Sequence, residues 1–91
     1  MNAERVDELK RRLSDALQPT RLEVSDDSDK HIGHEGAAGG LGHFSVLVVS
    51  DRFAGLSTIR RHRLIYDIVG DMMTTDIHAL SIKAMTPNEL S

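Results

Sequence analysis

The run His43-Phe44-Ser45-Val46-Leu47-Val48-Val49-Ser50 constrains this chain more than any other segment, because it is the strongest strand in the sequence. Side chains alternate across a strand, so Phe44, Val46 and Val48 fall on one face and Leu47 and Val49 on the other. Ahead of it, Val6, Leu9, Leu13 and Leu17 recur at helical spacing. Asn2 is the expected N-cap, Glu4 sits in the first turn and Pro19 closes the segment. Arg21 to Ser25 then alternates as a short strand with Leu22 and Val24 on one face. After the central strand, Asp51 to Gly55 has turn chemistry. Ser57 is the expected N-cap of a helical segment running to about Met73, with Ile65, Ile68, Val69 and Met72 facing inward. Ile77 to Ala84 reads as a third strand, with His78, Leu80 and Ile82 sharing a face. Thr86-Pro87-Asn88-Glu89 is a helix start, with Thr as N-cap, Pro at the first helical position and Glu completing a capping box. That helix has only begun at Ser91, so the natural chain is expected to continue.

Between the first two strands lies Asp26 to Gly42, with five glycines, four acids, two histidines and no hydrophobic period. It is expected to be a long flexible loop, mobile in the free protein and ordered by a ligand. Loops of that length in a compact domain are functional or disordered. The first two strands can pair antiparallel across it. The second and third are joined through helix, which calls for a right-handed parallel crossover. The expected architecture is α+β, one mixed sheet covered by helices. With 91 residues the chain fits a single domain, residues 1–91, and no internal repeat is visible.

Composition narrows the function classes. There is no cysteine, so a disulfide framework is excluded and any thiolate on a shared metal must come from a partner. The formal net charge of −3 does not favour general affinity for nucleic acid, although local patches can differ. No apolar run approaches a membrane span. The charged N-terminus reads as neither a signal nor a transit peptide, so a cytoplasmic location is expected. No catalytic constellation or nucleotide-binding loop stands out, and enzymatic activity is not expected.

Several short segments, taken in order, carry a resemblance. They are His43-Phe44 through Val49-Ser50-Asp51-Arg52-Phe53-Ala54-Gly55, then Arg61-His62-Arg63-Leu64-Ile65-Tyr66, then Ile77-His78-Ala79-Leu80-Ser81-Ile82, then Thr86-Pro87. Each is weak alone; together they resemble the signature of the BolA family over about Leu22 to Glu89. The resemblance implies a type II KH-like fold with a three-stranded mixed sheet, in the order α-β-β-α-α-β-(α). It also implies a heterodimer with a monothiol glutaredoxin, in which a [2Fe–2S] cluster is bridged between the proteins. The glutaredoxin supplies a cysteine, glutathione a second thiolate, and the BolA partner histidine. No cofactor is expected in the isolated protein. The implied roles are iron–sulfur trafficking or iron and redox regulation, and some family members are described as transcription regulators.

The histidines are weighed against this background. His31 and His34 lie in the glycine-rich loop, where composition alone allows both to be merely solvated. The resemblance implies that His31 is a metal ligand of the histidine-loop type, with His34 as a substitute or supporting group. His78 reads, on spacing alone, as a core or edge histidine. The resemblance implies that it is the C-terminal metal ligand. His62 is expected to be structural, and His43 is given no role. Histidine is a weaker electron donor than thiolate, so its use raises a cluster's reduction potential, as in Rieske centres. Its ligation competes with a proton and weakens in acid.

Arg52, Arg60, Arg61 and Arg63 crowd four of the eleven basic residues into a short stretch. One reading of Arg60, Arg61 and Arg63 is an anion-binding patch for phosphate, a carboxylate, an acidic surface or DNA. The other is a solvated helix face with local ion pairs. KH-style binding of single strands needs a GXXG loop between two helices. The two such spacings here, Gly33-His34-Glu35-Gly36 and Gly39-Gly40-Leu41-Gly42, fall in the acidic loop between strands, which disfavours that mode. Duplex DNA binding through the arginine helix stays open as a second function.

Overall fold

The computed structural model describes residues 2–28 and 40–90. Helical spacing at the N-terminus becomes α1 (Asn2–Leu17), whose inward stripe buries Leu9, Leu13 and Leu17. Asn2 is the first residue of that helix rather than a cap outside it. Its side chain instead donates to Ser28 Oγ at 3.2 Å and accepts from Arg5 at 2.9 Å. The helix stops where Gln18 takes a positive φ of 46° and Pro19 follows. Its last turn is held from outside: fully buried Ser50 donates its hydroxyl to the Leu17 carbonyl at 2.6 Å.

Three strands form one sheet in the order β1-β2-β3, namely β1 (Arg21–Asp26), β2 (Gly42–Val49) and β3 (Ile77–Met85). β1 runs antiparallel to β2, and β3 runs parallel to it, as expected. The crossover from β2 to β3 passes through a 3₁₀ turn at Asp51–Phe53, α2 (Thr58–Val69) and α3 (Met72–Thr75). Ser57 caps α2 as expected, accepting from the Arg60 N–H at 3.2 Å. The helical segment does not run unbroken to Met73. Gly70 adopts a φ of 52°, and the chain turns before resuming as α3. Arg12 of α1 reaches this break, donating to the Val69 carbonyl at 2.5 Å and to Asp71 at 2.9 Å. A cation there satisfies a helix C-terminus whose carbonyls have no intrahelical partner.

The helices cover one face of the sheet. The core joins Leu9, Leu13 and Leu17 to Phe44, Val46 and Val48 of β2, to Ile65 and Val69 of α2, and to Phe53, Met72 and Ile77. Val49 is also fully buried but lies outside this cluster, in keeping with its opposite facing. The result is the expected α+β fold. No helix among the described residues is long and apolar enough to cross a membrane.

The last element, α4 (Pro87–Leu90), starts at the expected capping box, with the Thr86 N–H donating to Glu89 at 2.8 Å. Glu89 also takes Arg61 at 2.6 Å and 3.1 Å. Arg61 is only 11% exposed. It donates to the Leu56 and Ala84 carbonyls at 2.9 Å and 3.1 Å and lies 5.9 Å from the centroid of Phe53. One guanidinium thus ties α2, the 3₁₀ turn, the end of β3 and α4 together.

Two outcomes follow from this packing. Leu13→Ala should cost about 2–5 kcal/mol of unfolding free energy in a denaturant titration, since the fully buried side chain leaves a cavity. The second concerns acid. The side-chain bonds from Arg61, followed by the Thr86 N–H, lower the Glu89 carboxyl to about 2. A depressed folded value stabilises the protein above the unfolded carboxyl value of about 4.3 and loses that contribution as pH falls toward the folded one. Carboxyl NMR should find Glu89 half-protonated near pH 2. Glu89→Gln should remove its share of the acid sensitivity, leaving that of Glu8, which Arg11 and Arg12 also lower to about 2.

Candidate functional site

β2 and β3 begin out of step. Gly42 lies opposite Ile77, but His43 lies opposite Ala79, so His78 is an extra residue on β3. A bulge of this kind resets the alternation of side chains and re-aims one of them. Ile77 enters the core at 1% exposure, while Leu80 and Ile82 pack against that core further along. His78 and Ala79 between them are exposed. The expectation that His78 shares the inward face of Leu80 and Ile82 is therefore corrected: simple alternation does not survive the bulge.

The re-aimed side chain meets a residue to which sequence reasoning gave no role. The rings of His43 and His78 lie 5.0 Å apart between centroids, with planes tilted by 46°. His43 is buried at 8% exposure. Its main chain is fixed on both sides, the N–H donating to Ser28 Oγ at 3.1 Å and the carbonyl accepting from Asp27 at 2.7 Å. The signal that could have found it was its place at the start of the central strand. Its neighbour, however, is set by the bulge, which no periodicity reveals.

The surroundings are closely tied. The Gly42 N–H donates to the Asp76 carbonyl at 2.9 Å. A Cβ on Gly42 would stand 2.6 Å from Phe44 Cζ, so any side chain there would displace the buried Phe44 ring. Asp27 accepts from the hydroxyls of Ser25 and Ser45. Arg5 of α1 donates to Asp76 at 3.1 Å, to Asn2 at 2.9 Å and to the Gly40 carbonyl at 3.0 Å. Asp76 is held below the usual carboxylate range, first by the Thr75 hydroxyl and then by Arg5 acting against burial.

His31 and His34 lie outside the described residues, together with most of the expected loop. Among the described residues no group of three or more His, Cys, Asp or Glu is arranged to hold a metal ion. One exposed imidazole, that of His78, and no cysteine can furnish only part of a coordination shell, so the donor chemistry fits a site completed by other groups. His62, expected to be structural, is half-buried on α2.

The three candidate arginines separate. Arg60 and Arg63 are exposed on α2, whereas Arg61 is turned inward onto Glu89 and two carbonyls. Arg61 is thereby committed to holding elements together. Its neighbours alone present charge to solvent.

The model of the BolA-like protein family matches residues 13–89. The chain belongs to the BolA-like family. It is 40% identical over 89 residues to the DNA-binding transcriptional regulator BolA of Escherichia coli, covering 98% of this chain and 79% of that protein. It is 44% identical over 87 residues to the SufE-like protein 1, chloroplastic/mitochondrial, of Arabidopsis thaliana, covering 90% of this chain but only 24% of that protein. The solved BolA domain of SufE1 from the same plant superposes with a TM-score of 0.83 at 44% identity, covering 93% of this chain and 94% of that one. This BolA-like chain thus matches a regulator along most of its length and a single domain of a much longer protein.

Gly42→Ala tests the site's framework. It should destabilise the domain by about 1–3 kcal/mol, the usual cost of overpacking a tight core. NMR should show the largest shifts at Phe44, His43 and His78.

Proposed function

We propose that this BolA-like chain donates histidine nitrogen to a [2Fe–2S] cluster held jointly with a monothiol glutaredoxin and glutathione. His78 is the donor from the sheet, His31 the donor from the loop, and His34 a stand-in for His31. The observation that supports this most is the bulge, which turns His78 out of the core beside buried His43. The absence of cysteine from the sequence agrees with it, because the thiolates then belong to the partner. A bound cluster of this type supplies one-electron chemistry, at a potential raised by histidine in place of thiolate. The chain's own part is to present a neutral imidazole at the sheet end and to keep its ring in one orientation. Mixing the protein with clustered monothiol glutaredoxin and glutathione should change the visible absorption and circular dichroism of the cluster. His78→Ala should abolish that change while the far-ultraviolet spectrum stays native, and His31→Ala should weaken it. An unaltered change in the double variant would remove the histidines from the site.

A second reading is DNA binding through α2. It is supported by the exposure of Arg60 and Arg63, neither of which has an ion-pair partner among the described residues, and by the name of the regulator from E. coli. If both arginines touch phosphates, replacing them with alanine should flatten the slope of log affinity against log salt by about 2. Arg61 is left in place, because its loss would disturb the fold. An unchanged slope would exclude this face.

A further inference from the structure

We propose that His43 is a positioning residue for His78: its buried ring fixes the direction in which His78 offers its nitrogen. This rests on the reading of His78 as a ligand given above.

An exposed side chain at a strand end loses rotamer freedom when it is held for ligation, and that loss opposes binding. His78 is such a side chain. Yet one flank of its ring is already occupied. A separation of 5.0 Å with a 46° tilt lies within the contact range of aromatic pairs. A wall is useful only if it does not move. His43 is 8% exposed, its N–H and carbonyl are both engaged across to the end of β1, and it belongs to the central strand. The preceding Gly42 is anchored as well, its N–H donating to the Asp76 carbonyl at 2.9 Å. The bulge gives β3 one residue more than β2 at this level, and that residue is His78, set against the fixed ring. His43 therefore acts through His78, by shape, with no bond of its own to the metal.

The test separates ring from nitrogen. His43→Phe keeps a flat ring without nitrogens, and His43→Leu keeps comparable bulk without a flat ring. In the free protein, three-bond couplings of His78 should report one dominant rotamer for wild type and His43→Phe, and averaging for His43→Leu. With clustered monothiol glutaredoxin and glutathione, His43→Leu should need roughly 10-fold more protein than wild type for the same change in the cluster spectrum. His43→Phe should match wild type. Equal rotamer populations and equal spectra in all three proteins would overturn the proposal. A loss in His43→Phe as complete as in His78→Ala would also overturn it, by making His43 itself a ligand. If wild type leaves the cluster spectrum unchanged, the functional reading fails, and the rotamer populations alone then decide whether His43 orients His78.

Discussion

The parallel pairing of β2 with β3 starts with one residue too many on β3, and the facing of the side chains at that end of the sheet depends on that mismatch. Were the register regular, residues 77, 79 and 81 would lie together on one face, with His78 on the other beside Leu80 and Ile82. The extra residue lets Ile77 fill the core as Leu80 and Ile82 pack against it, with His78 released outward between them. Gly42 stands at the mismatch on the β2 side, where a methyl group would strike Phe44. The burial of Ile77 and the exposure of His78 are therefore two results of one backbone irregularity.

Much of the fold was legible in the sequence because it is written in periodicity. Leu9, Leu13 and Leu17 announce α1, and Phe44, Val46 and Val48 announce the buried face of β2. The break between α2 and α3 was missed because apolar spacing continues through it, from Ile65 and Val69 to Met72, while Gly70 turns the chain. At the site, His78 could be singled out but not its facing. Periodicity assumes an unbroken ladder, and the bulge is a property of the pairing rather than of either strand. His43 escaped for the same reason. Its ring meets a residue 35 positions away, and that proximity is a tertiary fact.

The basic residues teach a similar lesson about charge. Arg60, Arg61 and Arg63 are near neighbours in sequence, and counting charge gives them one role. Burial divides them. Arg61 is surrounded by two carbonyls, a carboxylate and the ring of Phe53, and that many partners leave it no capacity for an external anion. Arg60 and Arg63 meet solvent, where guanidinium groups are well suited to planar anions.

Arg5 stands apart from the chemistry and still bears on it. By bonding to Gly40, to Asp76 and, through Asn2, to Ser28, it ties off both stems of the connection between β1 and β2. The stems are thus closed by a side chain of α1, independently of what the connection contains. Closure entropy grows slowly with length, by about 0.6 kcal/mol for each doubling. On that scaling, a change in the number of residues between the two stems costs little while Arg5 keeps the stems joined. A protein engineer would therefore place insertions between residues 28 and 40, where a side chain outside the connection joins its two stems.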